Sequence, residues 1–574
     1  MVGPDLAPVP APPAAGALSV ATLPPGQPGL PLRQAATYVA VGTGLSRLTG
    51  LLRFVALAWA LGQTHLADSY NLANTTPNML YDIVLGGVLS ATFIPVFVDQ
   101  LTNRDEPDAF DSISAVLSLA VVILASATVA ALVLAPQLID ALTVLDTHAH
   151  AHAHAHQVHQ ILLERAVATT LLRWFVIQIA AYGLFALGTA LLNTRRRFVA
   201  VAWAPILNNV VCISVLIWFG VWAGTGAGLA SVEAHHSQLI LLGLGTSLGV
   251  VLQGLALFPS LRAARLGHLR WRWDLKDRAV QAVVRLSGWT FGFVVANQVA
   301  LFVVTVLAGT APGPDPVSAY TYAYAFLQLP YGVVAVTIMS VVSPDLAERW
   351  SAGRTEAFVS RLAAGLRAML ALIVPAAVGM LLLARPAVAL LLGHGHSTPA
   401  QTADTGAALA MFALGLPGFC TYLYVVRVLQ SMQRTKVAFF LYVGENAINI
   451  ALAVTLVHPL GVRGLALSLS VAYSAGALAG LAVLRSWFGR LGTVTTWAPL
   501  RRVAVASVAM GLVVLVVSNL SDATAGAGLV ARVIGSVAAG LIAFVGVTVV
   551  LGRRQESRRR AARADRDDRY DAMV

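Results

Sequence analysis

Apolar runs of about twenty residues recur along nearly the whole chain, separated by short polar or basic stretches. That is the length an α-helix needs to cross the ~30 Å hydrocarbon core of a bilayer. The runs lack the ten-residue alternation of a transmembrane barrel. Backbone groups in lipid must be satisfied within the segment, so each run is predicted to be a helix. The predicted spans are 36–61, 79–99, 113–142, 161–192, 198–223, 237–259, 280–309, 318–346, 363–383, 404–430, 437–457, 463–484, 502–519 and 529–551.

Composition agrees with that pattern. Of 574 residues, 57% are hydrophobic and 11% charged, with mean hydropathy +0.76. This is the profile of an all-α polytopic membrane protein. The net charge of +12 comes from 36 Arg and 2 Lys. In a soluble chain that excess points to nucleic acid; here its placement is topological, and no nucleic-acid partner is expected. With the N-terminus in the cytoplasm, the cytoplasmic segments carry 28 basic residues and the outer loops only Arg385 and Arg463. That asymmetry obeys the positive-inside rule, and one miscounted helix would scramble it. About fourteen helices with both ends inside are therefore predicted. Residues 1–34, rich in Pro, Ala and Gly, read as a disordered cytoplasmic tail rather than a cleavable signal peptide. Cys212 and Cys420 lie in separate spans and read as packing residues.

A weak internal repeat divides the chain. "NTRRRFVAVAWAPILNNV" (193–210) places Asn209 thirteen residues after Arg196; "SMQRTKVAFFLYVGENAINI" (431–450) places Asn449 thirteen residues after Lys436. "TPNMLYDIVLGGVLSATFIPVF" (76–97) likewise resembles "LPYGVVAVTIMSVVSPDL" (329–346), with Pro77 and Pro95 matched by Pro330 and Pro344. Six helices separate the copies, so the repeat is parallel, a design that places a transport site between two halves. The expected organisation is a tail (1–34), a first bundle (35–260), a basic cytoplasmic linker (261–279), a second bundle (280–485), two further helices (486–552) and a basic cytoplasmic tail (553–574).

Catalysis finds little support. Acidic residues in or near the spans are scattered, with no pair at helical spacing, and no phosphate-binding loop of the G-x-x-x-x-G-K-[ST] type is present. No catalytic residue, metal site or cofactor is expected; the membrane potential or a coupled ion is the expected energy source. The informative residues are arginines inside spans. "SRLTGLLRF" (46–54) puts Arg47 and Arg53 in the first predicted helix. Each costs about 2.5–3.5 kcal/mol at the bilayer centre on insertion scales. Either they form structural ion pairs or they face a cavity and hold an anion, for which the planar guanidinium is suited. Six residues set them about 9 Å apart along the axis and about 120° apart around it, so they cannot share one narrow face. Arg173, Arg285 and Arg367, near span ends, also fit snorkelling. The histidine row "HAHAHAHAHQVHQ" (148–160) reads as a solvated low-complexity loop, with metal binding or pH sensing as sharper alternatives.

These motifs, in order, resemble the MurJ/MviN family, the lipid II flippases of the multidrug/oligosaccharidyl-lipid/polysaccharide exporter superfamily. The resemblance runs from "SRLTGLLRF" through "ADSYNLANTTPNML", "SATFIPVF", "LLNTRRRFVAVAWAPILNN", "VVRLSGWTFGFVVANQV", "LQLPYGVVAVTIMSVVSPDL" and "VVRVLQSMQRTK". The arginine-heavy composition and "FLQLPYGV" resemble the branch found in high-GC Gram-positive bacteria. The resemblance implies two pseudo-symmetric six-helix bundles around a cavity, plus two C-terminal helices forming a lipid-tail groove. It implies substrate-binding roles for Arg47, Arg53, Asp68, Arg427 and Arg285. Ser46, Pro77, Pro95, Asn209, Gln298, Pro330 and Asn449 read as structural or hinge positions. Charged positions of the family pattern are replaced here by Phe54, Thr75, Tyr81, Asp82, Gly86, Tyr324 and Ala325.

The expected function is movement of lipid II from the inner to the outer leaflet of a bacterial cytoplasmic membrane by alternating access, with cavity arginines on its diphosphate. The expected partners are that lipid-linked cell-wall precursor, membrane lipid and cell-wall synthesis or division proteins. Two alternatives stay open: an exporter of another lipid-linked oligosaccharide, and a non-transporting scaffold acting through "RRQESRRRAARADRDDRY".

Overall fold

A computed structural model of the chain describes residues 32–86, 93–103, 105–144, 155–195, 197–264, 269–394, 397–489 and 494–571. The fold is all-α. Thirteen segments among the described residues are long and apolar enough to cross a bilayer, and they match every predicted span but the second. That one, 79–99, begins in helix α2 (His65–Tyr81), passes through a π-helical segment (Asp82–Gly86), and reaches α3 (Ile94–Asn103) beyond the undescribed residues 87–92. Most of the 1–34 tail and residues 148–154 of the histidine row also lie outside the described residues; His156 and His159 sit in the first turns of α6 (Ala155–Phe175).

Helix α1 (Leu32–Leu61) ends where Gly62 takes a positive φ of 70°, a conformation glycine adopts without Cβ strain. Thr64 then caps α2 by accepting the Ala67 N–H. The predicted third span is two helices, α4 (Glu106–Val133) and α5 (Ala135–Leu142), because Pro136 starts a new helix and lacks the N–H to continue the old one. The fourth is also divided, into α6 and α7 (Ile177–Thr194). At that junction the Ser247 hydroxyl donates to the Trp174 carbonyl at 2.9 Å, and such an inserted side chain is a recognised cause of a break.

The first half continues with α8 (Val199–Trp222), short α9 (Leu229–Ala234), α10 (His236–Leu255) and short α11 (Phe258–Ala263). The second half comprises α12 (Arg278–Gly309), α13 (Pro316–Pro330), a π segment (Tyr331–Ala335), α14 (Val336–Ser351), α15 (Thr355–Leu392), α16 (Pro399–Ser431), α17 (Thr435–Leu460) and α18 (Val462–Phe488). Packing partners repeat between halves. Helix α1 lies on α8 as α12 lies on α17; α2 on α6 as α13 on α16; α6 on α10 as α16 on α18. The repeat extends to an irregularity: a five-residue π segment follows the first proline of each matched stretch, after Pro77 and after Pro330.

Small residues bring these helices close. A Cβ added at Gly415 or Gly418 of α16 would stand 2.4 Å from Ser470 or 2.3 Å from Ser474 of α18. Close backbone approach through small side chains is how membrane helices gain contact without a hydrophobic driving force. Helices α19 (Val494–Asn519) and α20 (Gly526–Asp571) pack on each other and on α15, around Leu383, Met510 and Val514. The predicted boundary at 552/553 is not a structural break, since α20 continues through it to Asp571.

Candidate functional site

Arg47 and Arg53 part company as their spacing requires. Arg47 is exposed, and its guanidinium lies over Gly332 in the second π segment: a Cβ on that glycine would be 3.0 Å from Nε. Arg427, on α16, is within electrostatic reach of the same turn. The Tyr331 hydroxyl, one residue before Gly332, lies in the electrostatic field of both arginines. Its ring rests on Phe419 of α16 at 4.8 Å between centroids. Two cations, one from each half, thus act on one irregular turn of the eighth crossing. Neither has a carboxylate within ion-pairing distance among the described residues.

Arg53 is half-buried inside the first bundle. It lies near Tyr70 of α2, Tyr182 of α7 and Cys212 of α8, with Phe54 5.8 Å from its guanidinium. The structural ion pair weighed for Arg47 and Arg53 is not formed at either among the described residues. Arg285 is exposed near the start of α12 and is not part of the Tyr331 convergence.

Asp68 serves a different place. Its Oδ1 accepts the backbone N–H of Ser318 at 2.8 Å, a donor in the first turn of α13 that the helix itself leaves unpaired. Around it a polar seal joins the halves at one end of the molecule. The Asn71 amide donates to Ser318 Oγ at 3.0 Å, and the Thr405 hydroxyl to Gln63 Oε1 at 3.0 Å. Gln401 donates to Asp315 Oδ2 at 2.7 Å and to the Gln63 carbonyl. His65 Nδ1 stands 2.7 Å from Glu164 of its own half and 3.7 Å from Asp315 of the other. The hydrogen bond to Glu164 pushes the His65 pKa up to about 9. Burial moves Asp315 upward as well, against the pull of His65 and Gln401.

Among the hinge positions, Asn209 donates to the Ser46 carbonyl at 3.1 Å and to Thr49 Oγ1 at 3.0 Å, tying α8 to α1. Its repeat mate Asn449 accepts from Ser468 Oγ at 3.0 Å, tying α17 to α18. Gln298 of α12 donates to Asp82 at 3.1 Å, across the halves at the first π segment. Pro77 lies inside α2, Pro95 falls in α3, and Pro330 ends α13 immediately before the second π segment. The seal residues Gln63, His65, Asp315, Gln401 and Thr405 were not anticipated. The available signal was Thr398-Pro-Ala-Gln401, a capping-box pattern, and that box is formed.

Comparison with known proteins matches the chain and its fold. The family model described as "Lipid II flippase MurJ" matches residues 57–535. A probable lipid II flippase MurJ of Rhizobium meliloti (strain 1021) is 26% identical over 479 residues, covering 82% of this chain and 84% of the relative. The lipid II flippase MurJ of Burkholderia cenocepacia is 25% identical over 442 residues, 75% and 79% of the two chains. Among solved structures, a lipid II flippase MurJ in an inward closed conformation superposes with a TM-score of 0.70 at 22% identity, covering 90% of this chain and 99% of that one. An inward-facing multidrug resistance MATE family transporter shares the fold at a TM-score of 0.56 and 16% identity, over 81% and 96%. With the family model spanning all but the chain's ends, this protein belongs to the MurJ lipid II flippase family.

Proposed function

We propose that this chain flips lipid II from the inner to the outer leaflet of the cytoplasmic membrane by alternating access. The observation that carries the reading is the contact of Arg47 with Gly332 of the opposite half, beside a Tyr331 hydroxyl that also feels Arg427. A cation unpaired within a membrane span is costly unless water or an anion meets it. The diphosphate of a lipid-linked precursor supplies that anion, and the fork of the guanidinium suits its oxygens. Because the two cations belong to different halves, relative motion of the halves changes their separation and hence their hold on the phosphates. Arg53, deeper in the first bundle, contributes field rather than contact in this conformation.

Sidedness follows from the charge asymmetry, with both termini cytoplasmic and the His65 seal outermost. The seal closes the outer exit while the substrate site is loaded from within. An inside-negative potential draws the positively charged empty site back toward the cytoplasm, at about 2.3 kcal/mol per charge per 100 mV. Helices α19 and α20 form the surface along which the isoprenoid tail stays in lipid.

Complementation tests this reading. Cells depleted of their own lipid II flippase should be rescued by this chain and not by equally abundant Arg47→Ala/Arg427→Ala. Failure of well-expressed wild type would redirect the reading to another lipid-linked oligosaccharide. Deleting residues 553–574 separates transport from scaffolding, since a scaffold acting through that tail is lost and a flippase retains its activity.

A further inference from the structure

Between the two halves, at the end opposite the His65 seal, the chain does not simply loop through solvent. Residues 269–274 lie extended along α4. The Arg270 N–H donates to Ser114 Oγ at 3.2 Å and the Arg272 N–H to Ser118 Oγ at 3.0 Å. Four residues of helix rise about 6 Å and two residues of extended chain about 6.6 Å, so the two registers match. Asp111, one turn before Ser114 on the same face of α4, pairs with both Arg270 and Arg272, the latter at 3.0 Å. The chain then turns at Asp274, which accepts the Lys276 N–H at 3.0 Å. Asp277 closes the excursion: it caps α12 through the Ala279 N–H at 2.7 Å and accepts from Ser112 at 2.9 Å.

The amides and side chains of Arg270 and Arg272 are engaged on α4, while the alternate side chains are exposed. Leu269, Trp271, Trp273 and Leu275 are 43%, 66%, 55% and 52% exposed. Two tryptophans held open on a pinned backbone form an apolar edge that is left largely uncovered by the described residues. On α11, earlier in the chain, Phe258 is 52% exposed beneath the Arg262 guanidinium at 4.8 Å.

The depth of this edge identifies what covers it. The apolar stretch of α4, Pro107–Val133, has 27 residues. From Ser114 to Val133 is about 28 Å of helix, close to the ~30 Å of a hydrocarbon core, which sets Ser114 at the edge of that core. Asp111, Ser114 and Ser118 mark the polar end. Beyond them α4 exposes Ile123, Val129, Leu132 and Val133, as a lipid-facing helix does. The tryptophans therefore stand where hydrocarbon gives way to headgroups, the level at which amphipathic indoles settle. Charge agrees: the described residues of 258–278 hold five cations (Arg262, Arg270, Arg272, Lys276 and Arg278) against Asp274 and Asp277, a balance suited to anionic headgroups.

We infer that residues 269–275 are a membrane-interface hook, in which Trp271 and Trp273 seat in the headgroup layer of the bilayer that α4 and α12 cross. The hook holds the connection between the halves to α4 and to the lipid surface. Motion of the second half then starts from Asp277 rather than from a free tether.

The test uses the full chain in vesicles of phosphatidylcholine with phosphatidylglycerol. An environment-sensitive fluorophore is placed on Leu269→Cys or Leu275→Cys, and on Ala352→Cys in an exposed loop at the same end as a control. The native Cys212 and Cys420 are buried. The hook predicts strong quenching by lipids spin-labelled near the headgroup, weak quenching by lipids labelled near the chain terminus, and several-fold less quenching by aqueous iodide than at Ala352→Cys. Adding Trp271→Ala/Trp273→Ala, with folding checked by gel filtration, should raise iodide access at Leu269→Cys. Iodide access equal to the control in the parent would overturn the proposal. So would protection that arises only when a soluble protein fraction is added, which would make the edge a protein-docking surface.

Discussion

Arg47 of α1 rests its guanidinium on Gly332, the bare position of a π-helical turn in the opposite half: a Cβ there would meet Nε at 3.0 Å and Cζ at 3.3 Å. Gly332→Ala forces the arginine to yield by a few tenths of an ångström, and Gly332→Leu displaces it. We expect transport to fall in that order while the folded protein persists, read by complementation beside membrane abundance. Equal activity of all three would remove Arg47 placement from the mechanism.

Binding should follow the charges. A hydrogen bond to a charged group contributes about 1.5–3 kcal/mol, so Arg47→Ala or Arg427→Ala should weaken lipid II binding by about 10- to 100-fold. Arg47→Lys keeps the charge without the planar fork and should fall between. Binding of purified protein to lipid II in nanodiscs measures this, and unchanged affinity in both alanine variants would exclude these arginines as the phosphate contacts.

The outer seal should respond to pH. His65 titrates near 9 when it bridges Glu164 and Asp315, against 6.5 when free. Its contribution is complete below about pH 6.5 and is lost as pH rises through about 9. Spin labels on the exposed Ala230→Cys of α9 and Ala403→Cys of α16, at the same end but outside the seal, should report a longer separation as outer pH rises. His65→Gln should flatten that dependence; a response that survives it would assign the switch to another group.

The repeat-related asparagines should prove structural. Asn209→Leu removes two hydrogen bonds between α8 and α1, and Asn449→Leu removes one between α17 and α18. Such bonds in membranes contribute ~0.6 kcal/mol on average and at most ~1.7. Thermal unfolding in detergent should shift down slightly for both, more for Asn209→Leu, with lipid II affinity unchanged.

Close packing of α16 on α18 predicts the largest stability effect. Gly418→Val would place side-chain atoms where Ser474 already stands. Overpacking of this kind costs about 1–3 kcal/mol. Reduced membrane yield and a lower unfolding temperature are expected, and an unaffected protein would mean that the two helices separate readily.

Crossings, repeat and family resemblance were legible because bilayer insertion is a one-dimensional problem. Twenty apolar residues must form a helix, basic loops stay inside, and the Pro77 and Pro330 stretches carry the same order of residues. The boundaries that failed did so locally. Pro136 splits the third span, and Ser247 takes the Trp174 carbonyl at the α6–α7 junction. The stripe Asp111-Ser114-Ser118, polar at i, i+3 and i+7 within an apolar helix, was visible in the chain and announces a partner on that face.

From its sequence alone this protein is a polytopic helical bundle with arginines set inside its first span and a parallel repeat. Hydrophobic length, charge asymmetry and residue order determine that much, because each acts along the chain. Which arginine meets which half was decided only by the tertiary structure. Arg47 and Arg53 are six residues apart in one helix, yet one faces Gly332 of the other half and the other the interior of its own. The seal of Gln63, His65, Asp315 and Gln401 likewise spans more than 300 positions. Hydrogen bonds and charges act through a few ångströms of space, and helix packing alone determines which residues share that space.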